Sequence, residues 1–185
     1  MRGASTKVTY EDYLALPETI ERIELIDGQL VREPSPGAPH QRIVGNLYDG
    51  LRRLVRKQAL GTVFLGPLDV VLGPEGEEEV FQPDLLFVAR ERMAIVARVV
   101  GGAPDLAVEV LSPSTRRRDR EVKRQKYARC GVREFWLVDP AARTVEILTR
   151  EAGRFVTHGV FSEGASLSSP VLGGVTMAVG EIFEA

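Results

Sequence analysis

Residues 106–111 read Leu-Ala-Val-Glu-Val-Leu, an apolar run interrupted once, by Glu109. A strand that is apolar on both faces belongs in the middle of a sheet with a layer packed on each side. The carboxylate adds a second constraint, because ionised carboxylates are rarely buried unless they are paired or bound to a metal. The next residues, Ser112-Pro113-Ser114-Thr115, form a short loop. TRRRDREVKRQKYARC then reads as a helix stopped by Gly131. That helix is rich in cations, so pairing with one of its arginines is one account of Glu109. Ligation of a metal is the other.

The rest of the chain supplies the layers. Thr9 with Asp12 three residues on marks a short helix start, ended by Pro17. RIELIDGQLVRE is two strands around Asp27-Gly28, a strong hairpin signal. After the loop EPSPGAP, Ile43, Val44, Leu47, Tyr48, Leu51, Leu54 and Val55 recur at helical spacing, with Gly61 as the expected stop. The opposite face of that helix carries Arg42, Arg52, Arg53, Arg56 and Lys57. TVFLGPLDVVLG, VFQPDLLFVA, LAVEVLS and EFWLVD read as strands, with a short helix expected within 91–100. TVEILTRE and GRFVTHGVF form a second hairpin around Ala152-Gly153, and 164–185 reads as small-residue strand and turn. Strands followed by a helix and another strand imply a mixed α/β core.

Composition sets the class. The 185 residues suit one domain spanning 1–185, and 44% hydrophobic with 27% charged residues is ordinary for a soluble globular protein. No apolar run approaches the roughly 20 residues of a membrane span. The start MRGASTKVTYEDY has no apolar core of a secretory signal. The single cysteine, Cys130, excludes an internal disulfide framework, so a reducing cytoplasm is the expected location. At a formal net charge of −2, any affinity for nucleic acid must come from a local patch.

FQPDLLFV gives Glu109 a companion. Asp84 opens a second apolar strand directly after Pro83. Two acids on adjacent buried strands can converge on one divalent cation, and hard cations such as Mg²⁺ take oxygen ligands. Pro83-Asp84 with Glu109-Val110-Leu111 resembles the PD-(D/E)XK nuclease superfamily, although leucine stands at 111 where that pattern has lysine. IELIDGQL, His40 behind a proline-rich loop, FQPDLLFV, VEVLSPST, Asp119 with Lys123 and Tyr127 at four-residue steps, and GVREFWLVDP together resemble the Uma2 (DUF820) family over roughly residues 10–150. That family is a branch of the superfamily with its lysine moved to the following helix.

The resemblance implies a restriction-endonuclease-like fold, a central mixed sheet flanked by helices with N-terminal and C-terminal hairpins. It also implies metal-dependent hydrolysis of phosphodiesters in DNA. Asp84, Glu109 and the main-chain carbonyl of Val110 would hold Mg²⁺ or Mn²⁺, and Lys123 would orient or deprotonate water or stabilise developing charge. Asp119, Lys123 and Tyr127 share one helix face by spacing, and apart from the resemblance Lys123 reads as a solvated residue or an i,i+4 partner of Asp119. Lys126, on a different face, is the rival lysine. A helix-borne lysine of this kind is expected to contribute little to the core. Glu24 is either a further site acid or an outward polar residue of an alternating strand. His40 is either a phosphate or water contact or a helix-start residue. Arg116, Arg117 and Arg118 sit at a helix start, where the helix dipole favours acids, and read as phosphate contacts or as a solvated run. Tyr127 and Trp136 read as core. Hydrolysis of RNA or another phosphoester, and a non-catalytic binding member, are the alternative functions. DNA is the expected partner, and a homodimer or higher oligomer is expected because cutting a duplex needs two sites.

Overall fold

The computed structural model describes residues 7–184. Residues 1–6, the start of the segment read as lacking a signal sequence, lie outside them. The strands are β1 (Arg22–Ile26), β2 (Gln29–Glu33), β3 (Gly61–Leu65), β4 (Val70–Leu72), β5 (Glu79–Phe81), β6 (Leu85–Ala89), β7 (Val100–Gly101), β8 (Leu106–Val110), β9 (Glu134–Asp139), β10 (Thr144–Glu151), β11 (Arg154–Ser162), β12 (Ser166–Ser169) and β13 (Val175–Ala178). The α-helices are α1 (Tyr10–Leu14), α2 (Ala38–Lys57), α3 (Arg124–Cys130) and α4 (Val179–Phe183). No helix is long and apolar enough to cross a membrane among the described residues.

The core is mixed α/β, as the sequence implies, but the strands divide between two main sheets. One has the order β2-β1-β5-β4-β7, the other β11-β10-β9-β8-β6-β3, and β12-β13 form a separate hairpin. In the larger sheet β8 runs parallel to β9 and antiparallel to β6. β8 is thus central and buried along its whole length, the place its apolar run requires. Leu106, Val108 and Val110 enter a core beneath α2 and the C-terminal hairpin. Ala107 and Leu111 enter a second core beneath α3.

Both hairpins turn where their sequences indicate. Asp27 and Gly28 have φ of 52° and 74°, and Ala152 and Gly153 have 46° and 78°, the paired positive values of a type I′ turn. Gly131 caps α3 in the left-handed region with φ 102°. Trp136 and Tyr127 are fully buried core residues.

Four expectations change. FQPDLLFV is not one strand: β5 belongs to the smaller sheet and β6 to the larger, and Gln82-Pro83-Asp84 makes the crossing. Proline suits this corner because it has no N–H to contribute to a ladder. Gly61 does not stop α2, which ends at Lys57; it opens β3, where an added Cβ would lie 2.2 Å from the carbonyl oxygen of Val88. The helix expected within 91–100 is a 3₁₀ turn at Arg90–Ile95 followed by β7. The tail ends in α4, which a small-residue sequence with weak periodicity does not announce.

Candidate active site

The pairing of β6 with β8 sets Leu85 opposite Val108 and Leu86 opposite Ala107. Asp84 immediately precedes β6 and Glu109 lies on β8; Glu109 meets Lys123 and Tyr127, whereas Asp84 meets Arg22 of β1 and His40 of α2. The main-chain N–H of Val110 donates to Asp84 Oδ2 at 2.8 Å. Arg22 Nη1 donates to Asp84 Oδ1 at 2.7 Å. His40, in the first turn of α2, sets Nε2 at 3.1 Å from the carbonyl oxygen of Val110 and 3.3 Å from Asp84 Oδ2. On the other side, Glu109 Oε1 accepts from Lys123 Nζ at 2.9 Å and from the Tyr127 hydroxyl at 3.1 Å. Glu24 Oε1 is 2.9 Å from the same ammonium and accepts from the N–H of Gln82 at 2.8 Å.

Lys123 gets there through an irregular helix. Arg118–Lys123 is a π-helical segment running into α3. Such segments recur at functional sites because they shift the helical phase. Asp119, Lys123 and Tyr127 are all turned inward and buried. Arg22, His40, Asp84, Glu109 and Val110 border a cleft of about 120 Å³ together with the 34–37 loop and the Ser112–Thr115 loop. Lys123 lies behind Glu109, with no exposed surface, and does not border the cleft.

Acids outnumber permanent cations here: the five carboxyl groups of Glu24, Glu33, Asp84, Glu109 and Asp119 share one ion-pair network with Arg22, Arg118 and Lys123. Burial pushes Asp84 up, but the His40 hydrogen bond and the Arg22 charge prevail and hold it at about 2. Burial pulls His40 down, and the bond to and charge of Asp84 outweigh it, so the imidazole lies above its usual value. Burial drives Glu109 well above the carboxylate range; Lys123 draws it back, while Asp119, Asp84 and Glu24 push it further. Burial pulls Lys123 down, but Glu109 and Glu24 raise it well above an ordinary lysine. These contacts favour its ammonium form.

The donor set can be tested against a metal. No group of three or more His, Cys, Asp and Glu side chains forms a metal cage among the described residues. Two carboxylates and one carbonyl, all oxygen, suit Mg²⁺ or Mn²⁺ with the remaining positions left to water and phosphate. Unpartnered buried polar atoms are rare in proteins and call for an explanation such as an ion or water. Here the ones among the described residues are Arg22 Nε, Glu24 Oε2, His40 Nδ1, Gln82 Oε1 and Asp119 Oδ1, all in or beside this cluster. Of these, Arg22 Nε is a donor and the Glu24 and Asp119 oxygens lie on the Lys123 side, so the fit to a divalent cation rests on the oxygen donors Asp84, Glu109 and Val110 that border the cleft.

A family model described as "Uma2: Putative restriction endonuclease" matches residues 10–180. The chain belongs to the Uma2 family. Among solved structures it is similar to a chain titled a "putative nuclease belonging to DUF820" from Anabaena variabilis, with 23% identity, 95% of this chain and 97% of that one covered, and a TM-score of 0.81. At that identity the likeness shows a shared fold. No curated protein matches.

In this Uma2 chain, Asp84, Glu109, Val110, Glu24, His40 and Lys123 come together in one cluster. Lys126 does not join them; it pairs with Asp27 and, at 2.8 Å, with Glu79 beside the first hairpin turn. The Arg116–Arg118 run is paired with acids, and Arg117 is also largely solvated. Arg116 pairs with Asp139 at 2.6 Å, Arg117 with Glu121 at 3.0 Å and Arg118 with Glu33 at 2.7 Å. Lys123 departs from the expectation of a minor core role, since it is wholly enclosed by acids. Arg22 and Glu33 were not singled out in the sequence. The signal was present: a two-residue turn at Asp27-Gly28 fixes the hairpin register, so Arg22 must face Glu33, as it does. Arg22 also shares a strand face with Glu24.

Proposed function

We propose that this protein is a metal-dependent nuclease that hydrolyses phosphodiester bonds of DNA. The observation that carries the reading is that Asp84, immediately before β6, and Glu109, on the neighbouring strand β8, both border one cleft together with Val110. Family membership supports nucleic acid as the partner. Asp84, Glu109 and the Val110 carbonyl would hold Mg²⁺ or Mn²⁺. A bound divalent ion supplies Lewis-acid polarisation of a phosphoryl oxygen and acidifies a bound water.

The chain's own residues do the rest. Lys123 is a positioning residue: as an ammonium locked between Glu24 and Glu109 it fixes one oxygen of Glu109 and keeps that carboxylate aimed at the cleft. The two carboxylate contacts of Lys123 at 2.9 Å favour the ammonium form, which suits positioning of Glu109. Tyr127 reinforces the same oxygen. His40 anchors α2 to the Val110 carbonyl and to Asp84, which sets the width of the cleft. The proposal includes a homodimer, so that two sites address the two strands of a duplex.

The deciding experiment incubates the protein with supercoiled plasmid, single-stranded DNA and RNA, each with Mg²⁺, Mn²⁺ or EDTA. Cleavage of plasmid with either metal, abolished by EDTA and by Glu109→Gln, is the expected result. Cleavage of RNA alone would reassign the substrate. Failure to cut any of them by the folded protein would refute the reading.

A further inference from the structure

Asp84 is a proposed metal ligand, yet both of its oxygens are engaged by the protein. Oδ2 takes the Val110 N–H and His40, and Oδ1 takes Arg22 Nη1 at 2.7 Å. Arg22 Nη2 also donates to the carbonyl of Gln82, and its Nε has no hydrogen-bond partner. Only 14% of its side chain is exposed, and that part borders two clefts at once. One is the cleft shared with Glu109 and Val110, and the other is a cavity of about 200 Å³ beside Gly66 and Pro67. A permanent cation thus stands on the carboxylate that a metal would use, with open space beside it.

We propose that Arg22 is a phosphate clamp that is released by cation binding. In the metal-free protein it neutralises Asp84. When a divalent cation is bound at Asp84, the guanidinium loses its attraction there and turns to a non-bridging oxygen of the DNA phosphate in the adjoining cleft. The inference rests on the nuclease reading of this site. Three features carry it. Arg22 Nη1 lies 2.7 Å from Asp84 Oδ1 and like charges repel, so Arg22 and a cation on that carboxylate would compete for it. The alternative acid, Glu33, lies 3.8 Å from Nε and is already held by Arg118 at 2.7 Å and approached by Lys123, so it is a poor refuge. The planar fork matches two phosphate oxygens, and the unpartnered Nε is a donor ready for one.

Competition and clamping make opposite demands, which gives a signature that a structural ion pair does not share. Removing Arg22 should tighten metal binding and weaken substrate binding. The test titrates Mn²⁺ into the DNA-free protein by calorimetry, and measures binding of a short DNA duplex in Ca²⁺ by fluorescence anisotropy. For Arg22→Gln, Mn²⁺ is expected to bind about tenfold tighter and duplex about tenfold weaker, the scale of one charge-assisted hydrogen bond in each direction. Arg22→Lys keeps the charge and loses the fork, so its Mn²⁺ affinity should stay near wild type while duplex binding weakens. Equal or weaker Mn²⁺ binding by folded Arg22→Gln overturns the assignment, as does wild-type duplex affinity in both variants. If Arg22→Gln does not fold, Arg22→Lys decides by its duplex affinity alone. If the wild-type protein takes up no Mn²⁺, the metal reading of Asp84 and Glu109 fails and the clamp falls with it. If the wild type binds Mn²⁺ and Arg22→Gln binds it no better, only the clamp fails.

Discussion

An ammonium enclosed by protein needs anions around it, and Lys123 has four carboxylates between 2.9 and 3.8 Å. Removing one partner of a buried ion pair costs roughly 3–5 kcal/mol because the others are left uncompensated. Lys123→Ala should therefore lower stability by about that amount, read as a shift in the urea midpoint, as well as disable cleavage. Lys126→Ala breaks a more exposed pair and should cost about 1 kcal/mol or less. Equal effects of the two substitutions would show that the enclosure of Lys123 is not energetically significant. Asp84 makes a separate prediction in pH. Its pKa is depressed in the folded protein to about 2 from an ordinary value of 3.8. The folded state therefore holds fewer protons than the unfolded one between these values. The stability that Asp84 contributes is fully present above its unfolded value and is lost as the pH falls toward 2. Urea unfolding of wild type and Asp84→Asn should give curves that are well separated at pH 5 and converge near pH 2. A separation unchanged across that range would contradict the depressed pKa.

At the scale of elements, the site depends on where strands end. β5 and β6 lie in different sheets, and the corner between them delivers Asp84. A second buried acid holds the C-terminal hairpin in place. Glu134 Oε1, on β9, accepts from Trp136 Nε1 at 2.6 Å and Ser169 Oγ at 2.7 Å, and Oε2 accepts the Val171 N–H at 2.9 Å. Glu134→Ala removes the acceptor of three donors, two of them buried. Unpaired buried donors cost about 1–3 kcal/mol each, so a loss of several kcal/mol is expected. Hydrogen exchange should show the loss of protection concentrated in β12, β13 and α4. Uniform loss across β6, β8 and β9 would mean that Glu134 supports the main sheet instead.

At the scale of the molecule, a net charge of −2 coexists with a buried acid excess and an arginine-bearing surface. Binding of a cation to the folded state alone raises stability by mass action, about 2.7 kcal/mol at a concentration one hundred times Kd. The melting temperature should rise with Mn²⁺ in wild type and stay flat in Glu109→Gln. Duplex binding should weaken with salt, with a slope of about −0.9 per neutralised phosphate. Arg52 and Arg56, exposed on α2, have no ion-pair partner among the described residues, whereas Arg117 is already paired with Glu121. Replacing Arg52 and Arg56 together with glutamine should reduce the slope by about two, and Arg117→Gln should change it less. Salt-insensitive binding would point to a small phosphoester or a protein partner.

The sequence by itself determined the elements whose causes are local. The Asp27-Gly28 and Ala152-Gly153 turns follow from φ preferences, the Gly131 stop from a left-handed cap, and the central position of β8 from a run with no polar face. It also marked Asp84 and Glu109, because carboxylates in apolar runs are visible in the sequence, whereas Lys123 was marked by the resemblance to the Uma2 family, since a lysine four residues from an aspartate is by itself an ordinary helix-surface pair. What it did not contain was anything set by chain segments far apart in sequence. The division of the strands into two sheets, the π-helical phase that turns Lys123 inward, and the arrival of Arg22 and His40 at Asp84 all depend on tertiary packing. So does the protonation of Lys123, since an ammonium is held by the number of carboxylates that surround it, and Glu24, Glu33 and Glu109 come from three different strands. Local preference can name a turn or a candidate ligand; only the assembled fold brings five acids and three cations within reach of each other and fixes which of them keeps its proton.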